Sequence, residues 1–265
     1  NLINIEQDDK VKAFICTQDL KDEDYVNSHY VIMATRKGQV KKTSLEQYSR
    51  PRTNGINAIS IREEDELLEA KLTTGNSHVM LAVKSGKAIR FEESKTRPMG
   101  RGASGVRGIT LNDANDEVVG MIAVNDMDAN ILVVSENGYG KRSSVEDYRV
   151  TNRGGKGVKT ISITEKTGKL VAIKNVNDQD DLMIINKSGI AIRMEISALL
   201  LCILRNENDP TTKLLIKQNI DYDTVKEQFK LMLANDDDSY ENKSIISKYK
   251  YSFNDNFSFK GNLRY

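Results

Sequence analysis

"VMLAVKSGKAIR", residues 79–90, is a run of apolar residues, a short polar step, a glycine, and a basic residue four places further on. The arrangement returns as "VIMATRKGQVKK" (31–42), "ILVVSENGYGKR" (131–142) and "LMIINKSGIAIR" (182–193). Its glycines are Gly38, Gly86, Gly138 and Gly189, a period of about 50 residues, which is the signature of a repeat architecture. The apolar run is continuous rather than alternating, as in a strand buried on both faces. The steps "RKG", "KSG" and "ENG" supply the glycine that a tight hairpin with positive φ needs.

A second landmark keeps the same beat. Gly55, Gly105 and Gly157 are each followed by an apolar residue one, four and six places on: Ile56, Ile59 and Ile61; Val106, Ile109 and Leu111; Val158, Ile161 and Ile163. The last two spacings are strand alternation. An acidic or polar turn and a further strand follow, "ELLEAKLT", "EVVGMIAV" and "KLVAIKNV". Four short strands in about 50 residues is the size of a propeller blade, and an ordinary sandwich would not keep such a register. The expected class is mainly β, a partial pinwheel of propeller-like blades. In "NLINIEQDDKVKAFICT" (1–17), Ile3 and Ile5 take the last two apolar places, so the chain is expected to open within a repeat, as a piece of something longer.

The 265 residues are 38% hydrophobic and 29% charged, with a net charge of +1. That charge is uneven. Residues 1–29 hold 3 basic and 7 acidic side chains, residues 30–199 hold 26 and 21, and residues 200–265 hold 10 of each. Cys16 and Cys202 match no zinc spacing and read as buried reduced thiols rather than a disulfide. His29 and His78 sit in no nucleophile or metal pattern, "DDD" (236–238) reads as a solvated charge run, and no phosphate-loop motif occurs. No cofactor is expected. The longest apolar run, "ISALLLCIL" (196–204), is well short of the roughly 20 residues that span a bilayer, and no cleavable leader stands at the start. A soluble, cytoplasmic protein without a membrane partner is the expectation.

Lys42, Arg90, Arg142 and Arg193 occupy the same place in successive repeats. Equivalent places in stacked units point the same way, which predicts a cationic stripe along one rim. The glycine-rich loops add Arg50 and Arg52, then Arg97, Arg101 and Arg107, then Arg153, Lys156 and Lys159, with no acids among them. A solvated face of surface ion pairs would be worth at most about 1 kcal/mol per pair, but these loops repeat cations without partners. Glycine lets backbone N–H groups approach phosphates closely. Few aromatics accompany the cations, which disfavours stacking of single strands and favours bent duplex DNA. Tyr48 and Tyr148, after "SLEQ" and "SVED", read as structural.

"VKKTSLEQYSRPRTNGINAISI", "GKAIRFEESKTRPMGRGASGVRGITL" and "NGYGKRSSVEDYRVTNRGGKGVKTISI" closely resemble the C-terminal domain of bacterial DNA gyrase A, and less closely its topoisomerase IV counterpart. The likeness runs from residue 1 to about 199. It implies a β-pinwheel with strand exchange between neighbouring blades, whose basic outer edge wraps double-stranded DNA in support of ATP-dependent negative supercoiling. The chain would hold the end of one blade, three whole ones and the start of another. The implied partners are DNA, the rest of gyrase A, and gyrase B, with cleavage and ATP hydrolysis carried elsewhere and no catalytic residue here. The family's Gln-Arg-Arg-Gly-Gly-Lys-Gly box belongs to its first blade. Residues 151–157 echo it, with Thr151 and Asn152 in place of Gln and Arg, and Arg153, Gly154, Gly155, Lys156 and Gly157 matching. A propeller-like scaffold for protein docking is the rival reading.

The pinwheel is assigned to residues 1–198 and a second segment to 199–265. "LLLCILRNENDPTTKLLIKQNIDYDTVKEQFKLML" (199–233) resembles a helical repeat of the N-terminal domain of Clp-type ATPases, which docks adaptors. Leu199, Leu200, Ile203 and Leu204 form one face, Asn208-Asp209-Pro210 breaks it, and Asp221 or Asp223 can cap a helix reaching Leu233. Residues 234–265 read as a polar tail without a clear period. Such a switch implies a gene fusion, a rearrangement or an error of sequence assembly, among which the residues do not choose.

Overall fold

The computed structural model describes residues 9–52, 55–185, 187, 189, 191–196, 246–254 and 257–264. The chain forms two compact units, Asn1–Asn175 and Val176–Tyr265. The expected helical segment 199–233 lies outside the described residues, as does Cys202.

In the first unit every continuous apolar run becomes a strand that turns back on itself. β1 (Tyr30–Thr35) pairs antiparallel with β2 (Gln39–Ser44). After β3 (Leu67–Thr73) the pattern repeats in β4 (His78–Val83) and β5 (Lys87–Glu92). After β6 (Val106–Arg107) and β7 (Val118–Val124) it repeats again in β8 (Asn130–Ser135) and β9 (Gly140–Ser144). β10 (Val158–Lys159) and β11 (Leu170–Val176) follow. The hairpin glycines do what their position demands: Gly86 has φ +79° and donates its N–H to Val83 O at 2.9 Å. Its place admits no side chain, since a Cβ there would stand 2.5 Å from Ile161 O.

The sheets run β3-β1-β2-β6, β10-β5-β4-β7 and, among the described residues, β11-β8-β9. The strand β6 belongs by sequence to the second repeat and closes the first sheet, with Gln39 opposite Arg107 and Val40 opposite Val106. In the same way β10, from the third repeat, closes the second sheet, with Val158 opposite Ala88 and Lys159 opposite Lys87. Strand exchange between neighbouring sheets is therefore present twice.

The sheets stack face to face, which explains the unbroken apolar runs. Val79, Leu81 and Val83 of β4 join Ile32, Ala34 and Val40 of the first sheet in one core. Met80 and Ala82, from the other face of β4, join Ile131, Val133 and Leu170 of the third sheet in another. Val31 and Met33 cover a third core with Val26 of a short helix, α1 (Glu23–Ser28), capped by the Asp22 side chain. Ile15 also packs there, and one residue on, Cys16 faces solvent. The apolar neighbours of Cys16 predicted burial; the alternation of an extended segment turns it outward instead. Both tyrosines are structural: Tyr48 donates to Ala58 O at 3.1 Å, and buried Tyr148 bonds to the Thr160 hydroxyl.

The second unit contains the hairpin β12 (Asp181–Ile185) and β13 (Ala191–Glu195) and the hairpin β14 (Ile246–Asn254) and β15 (Phe257–Arg264). The latter falls in the stretch read as a patternless tail. Its signal lies in the residues: Tyr249, Tyr251 and Phe253, then Phe257 and Phe259, alternate on either side of Asn254-Asp255-Asn256, which is strand periodicity around a turn.

Candidate nucleic-acid interface

The exchanged strands form one edge of their sheets, and their outward residues are cations. Arg107 of β6 and Lys159 of β10 are both exposed. Each strand is fixed at its far end by the hairpin glycine of the sheet it joins. Gly108 and Ile109 donate to Gly38 O at 2.8 and 3.3 Å, and Thr160 and Ile161 donate to Gly86 O at 2.9 and 3.3 Å.

The glycine-rich loops are stitched to one another by a second repeating set of bonds. Ser60 donates from its N–H to Ala103 O and from its hydroxyl to Gly102 O, at 3.3 and 2.8 Å. Thr110 makes the equivalent pair to Gly155 O and Gly154 O, at 2.8 and 2.7 Å, and Gly154 N–H returns a bond to Gly108 O. The sequence carries this signal as Ser60, Thr110 and Ser162, each five places after a loop glycine, a fainter mark than the cations beside it. These bonds bring Arg50, Arg52, Arg97, Arg101, Arg107, Arg153, Lys156 and Lys159 onto one succession of adjoining loops. All are exposed except Arg101 and Arg153, which are half-buried. Arg153 donates from Nε to Lys95 O (3.0 Å) and from Nη1 to Arg107 O (3.2 Å), locking its loop against the previous one.

Beneath these loops lies Lys41, fully buried, whose amine donates to Ala58 O at 2.7 Å and to Arg101 O. Burial, and then the neighbouring Arg101 charge, lower its pKa from 10.5 to about 8. Among the described residues no ion pair engages the loop cations. Glu66 pairs instead with Lys12 and Arg36, and Glu117 with Arg36 and Lys84, so both carboxylates are engaged by other cations.

Two members of the stripe predicted from Lys42, Arg90, Arg142 and Arg193 are withdrawn from the surface. Lys42 is buried, with Nζ 2.9 Å from the carboxylate of wholly buried Glu93 and 4.1 Å from the centre of the Tyr30 ring. Arg90 is buried as well, donating from Nη1 to Val145 O and Tyr148 O at 2.8 and 3.2 Å, and from Nε to His78 Nδ1 at 3.1 Å. Arg142 is half-buried and engaged within the fold. Arg193 is exposed and bonds to Asp181 on the paired strand. Lys42 and Arg90 do point the same way, but that way is into the next sheet. An edge of acid-free loops backed by glycine remains, suited to anionic groups spaced along a polymer.

The family profile described as DNA gyrase C-terminal domain, beta-propeller, matches residues 29–74, 77–125, 129–177 and 180–201. The DNA gyrase A protein of Staphylococcus aureus (strain NCTC 8325 / PS 47) is 45% identical over 199 residues, 74% of this chain and 22% of that protein. The chain thus spans about a fifth of the length of the curated relatives it matches. A solved DNA gyrase A C-terminal domain superposes with a TM-score of 0.65 at 24% identity, covering 74% of this chain and 64% of that one. The C-terminal domain of DNA topoisomerase IV superposes with a TM-score of 0.61 at 23% identity, covering 64% and 53%. The matched segments coincide with the four repeats and, in the first unit, with the stacked, strand-exchanged sheets, and the chain belongs to the DNA gyrase A C-terminal domain family.

Proposed function

We propose that this chain is a DNA-binding and DNA-wrapping module of a type II topoisomerase, part of a gyrase A protein. The observation that carries this reading is the edge itself: successive loops bonded to one another, eight cations along them, and no acid within them. Duplex phosphates repeat along a line, and distributed contacts suit a duplex that must bend, at a cost of about 1–6 kcal/mol for 20–30 bp. The chain binds without a metal or cofactor and performs no chemistry itself; cleavage and ATP hydrolysis belong to the rest of gyrase A and to gyrase B, its partners in the assembled enzyme. It works in the cytoplasm. Among the described residues no helix is long and apolar enough to cross a membrane.

Titration of a labelled duplex at two salt concentrations tests the reading. Release of counterions makes log K fall with log salt at about 0.9 per neutralised phosphate, so a steep fall is expected. A protein-docking scaffold would show no duplex binding even at low salt, and that result would overturn the proposal.

A further inference from the structure

We infer that Lys42 and Arg90 are positioning residues that set the angle between successive sheets, and through it the course of the cationic edge, without touching DNA themselves. The inference rests on the wrapping function proposed above. Each residue grips the following repeat at two points. The side chain reaches the short 3₁₀ turn after that repeat's second strand: Lys42 holds Glu93, first residue of Glu93–Lys95, and Arg90 holds the carbonyl of Val145, first residue of Val145–Asp147. The backbone carbonyl of the same residue takes the start of the next cationic loop, from Met99 N–H at 2.8 Å for Lys42 and from Thr151 N–H at 2.9 Å for Arg90. Parallel bridges pair Lys42 with Pro98 and Arg90 with Val150.

Two junctions thus use one position and two chemistries. At the first, Glu93 is oriented by Thr73 Oγ1 at 2.7 Å and Ser77 N–H at 3.2 Å, so the ion pair has one geometry. At the second, the planar guanidinium is fixed by two carbonyls, His78 and the Met127 sulfur, a set that a single ammonium cannot reproduce. A loop contact and a sheet-to-sheet contact are tied through one residue, so loosening the side chain lets the next sheet tilt and carries its cations with it. A small tilt leaves each local phosphate contact possible but spoils their alignment over several sheets.

The test compares the full chain with Arg90→Lys, Arg90→Met and the charge-balanced double variant Lys42→Met/Glu93→Gln, each first shown by circular dichroism to be folded. Affinity and salt slope are read on a 20 bp duplex. Bending is read by ligase-catalysed ring closure of a duplex of about 100 bp, shorter than the roughly 150 bp persistence length, so that ring closure reports an imposed bend. The expected result is an unchanged salt slope with the bending signal cut by half or more, in Arg90→Lys as well as in Arg90→Met. A slope lowered by about 0.9 would mark a phosphate contact and overturn the inference, as would full bending in the folded variants. A wild-type chain that binds no duplex overturns the wrapping function instead, and the inference with it.

Discussion

Lys41 places an amine in a site closed to solvent, between the carbonyls of Ala58 and Arg101. Its pKa is lowered to about 8, while the unfolded chain keeps the ordinary lysine value near 10.4. Between those values the unfolded state binds more protons than the folded one, so this residue's contribution to stability rises with pH across that window and is flat below it. Denaturant melts of wild type and Lys41→Met should therefore give a stability difference that moves in favour of wild type from about pH 8 to 10.4; a difference that stays constant would refute the assignment. The exposed edge cations follow a different rule. Lys156→Ala and Arg107→Ala should each lower the salt slope of duplex binding by about 0.9, equally on unrelated sequences, because phosphates carry no sequence information. Arg153→Ala should lose more affinity than either, since it also frees its loop from Lys95 O and Arg107 O. A variant whose sequence preference changed while its affinity held would not be a phosphate contact.

At the scale of elements, the exchanged strands are held by their glycines. Gly157 has φ +73°, and a Cβ there would stand 2.6 Å from Ala88 O of the neighbouring sheet; Gly55 has φ +76° with open space around it. Both alanine variants incur the left-handed penalty of about 1–2 kcal/mol, but only Gly157→Ala must also push β10 away from β5. It should therefore be the more destabilised of the two in urea melts, and equal losses would show that the close approach contributes nothing. The beat of hairpin glycines and the unbroken runs at residues 31–34 and 79–82 were legible because burial on two faces leaves no polar alternation. The exchange was not legible from residues, since Val106–Arg107 and Val158–Lys159 are too short for any period. Lys42 and Arg90 misled for a related reason: a repeat reveals that side chains share a direction, whereas only the packed sheets reveal that the direction is inward. The pairing of Lys42 with Glu93 has no local signature at all, because its partners meet only when one sheet stacks on the next.

For the whole molecule, wrapping and supercoiling are separable. A protein that bends duplex around its edge stores writhe in a closed circle, but the linking number changes only if strands are broken and rejoined. The chain is therefore expected to leave relaxed circular DNA at its original linking number when mixed with ATP alone. Adding a topoisomerase that only relaxes DNA should convert the stored writhe into a permanent shift, visible as a topoisomer ladder after the protein is removed. The shift should grow with protein per circle and be indifferent to ATP, because the energy comes from binding rather than from a nucleotide. It should also fade with salt in step with duplex affinity, since the same phosphate contacts carry both. Gyrase B added without the relaxing enzyme should produce no supercoils from this chain. Supercoiling driven by ATP would overturn the non-catalytic reading, and firm binding with no trapped writhe would reduce the edge to a binding surface that does not wrap.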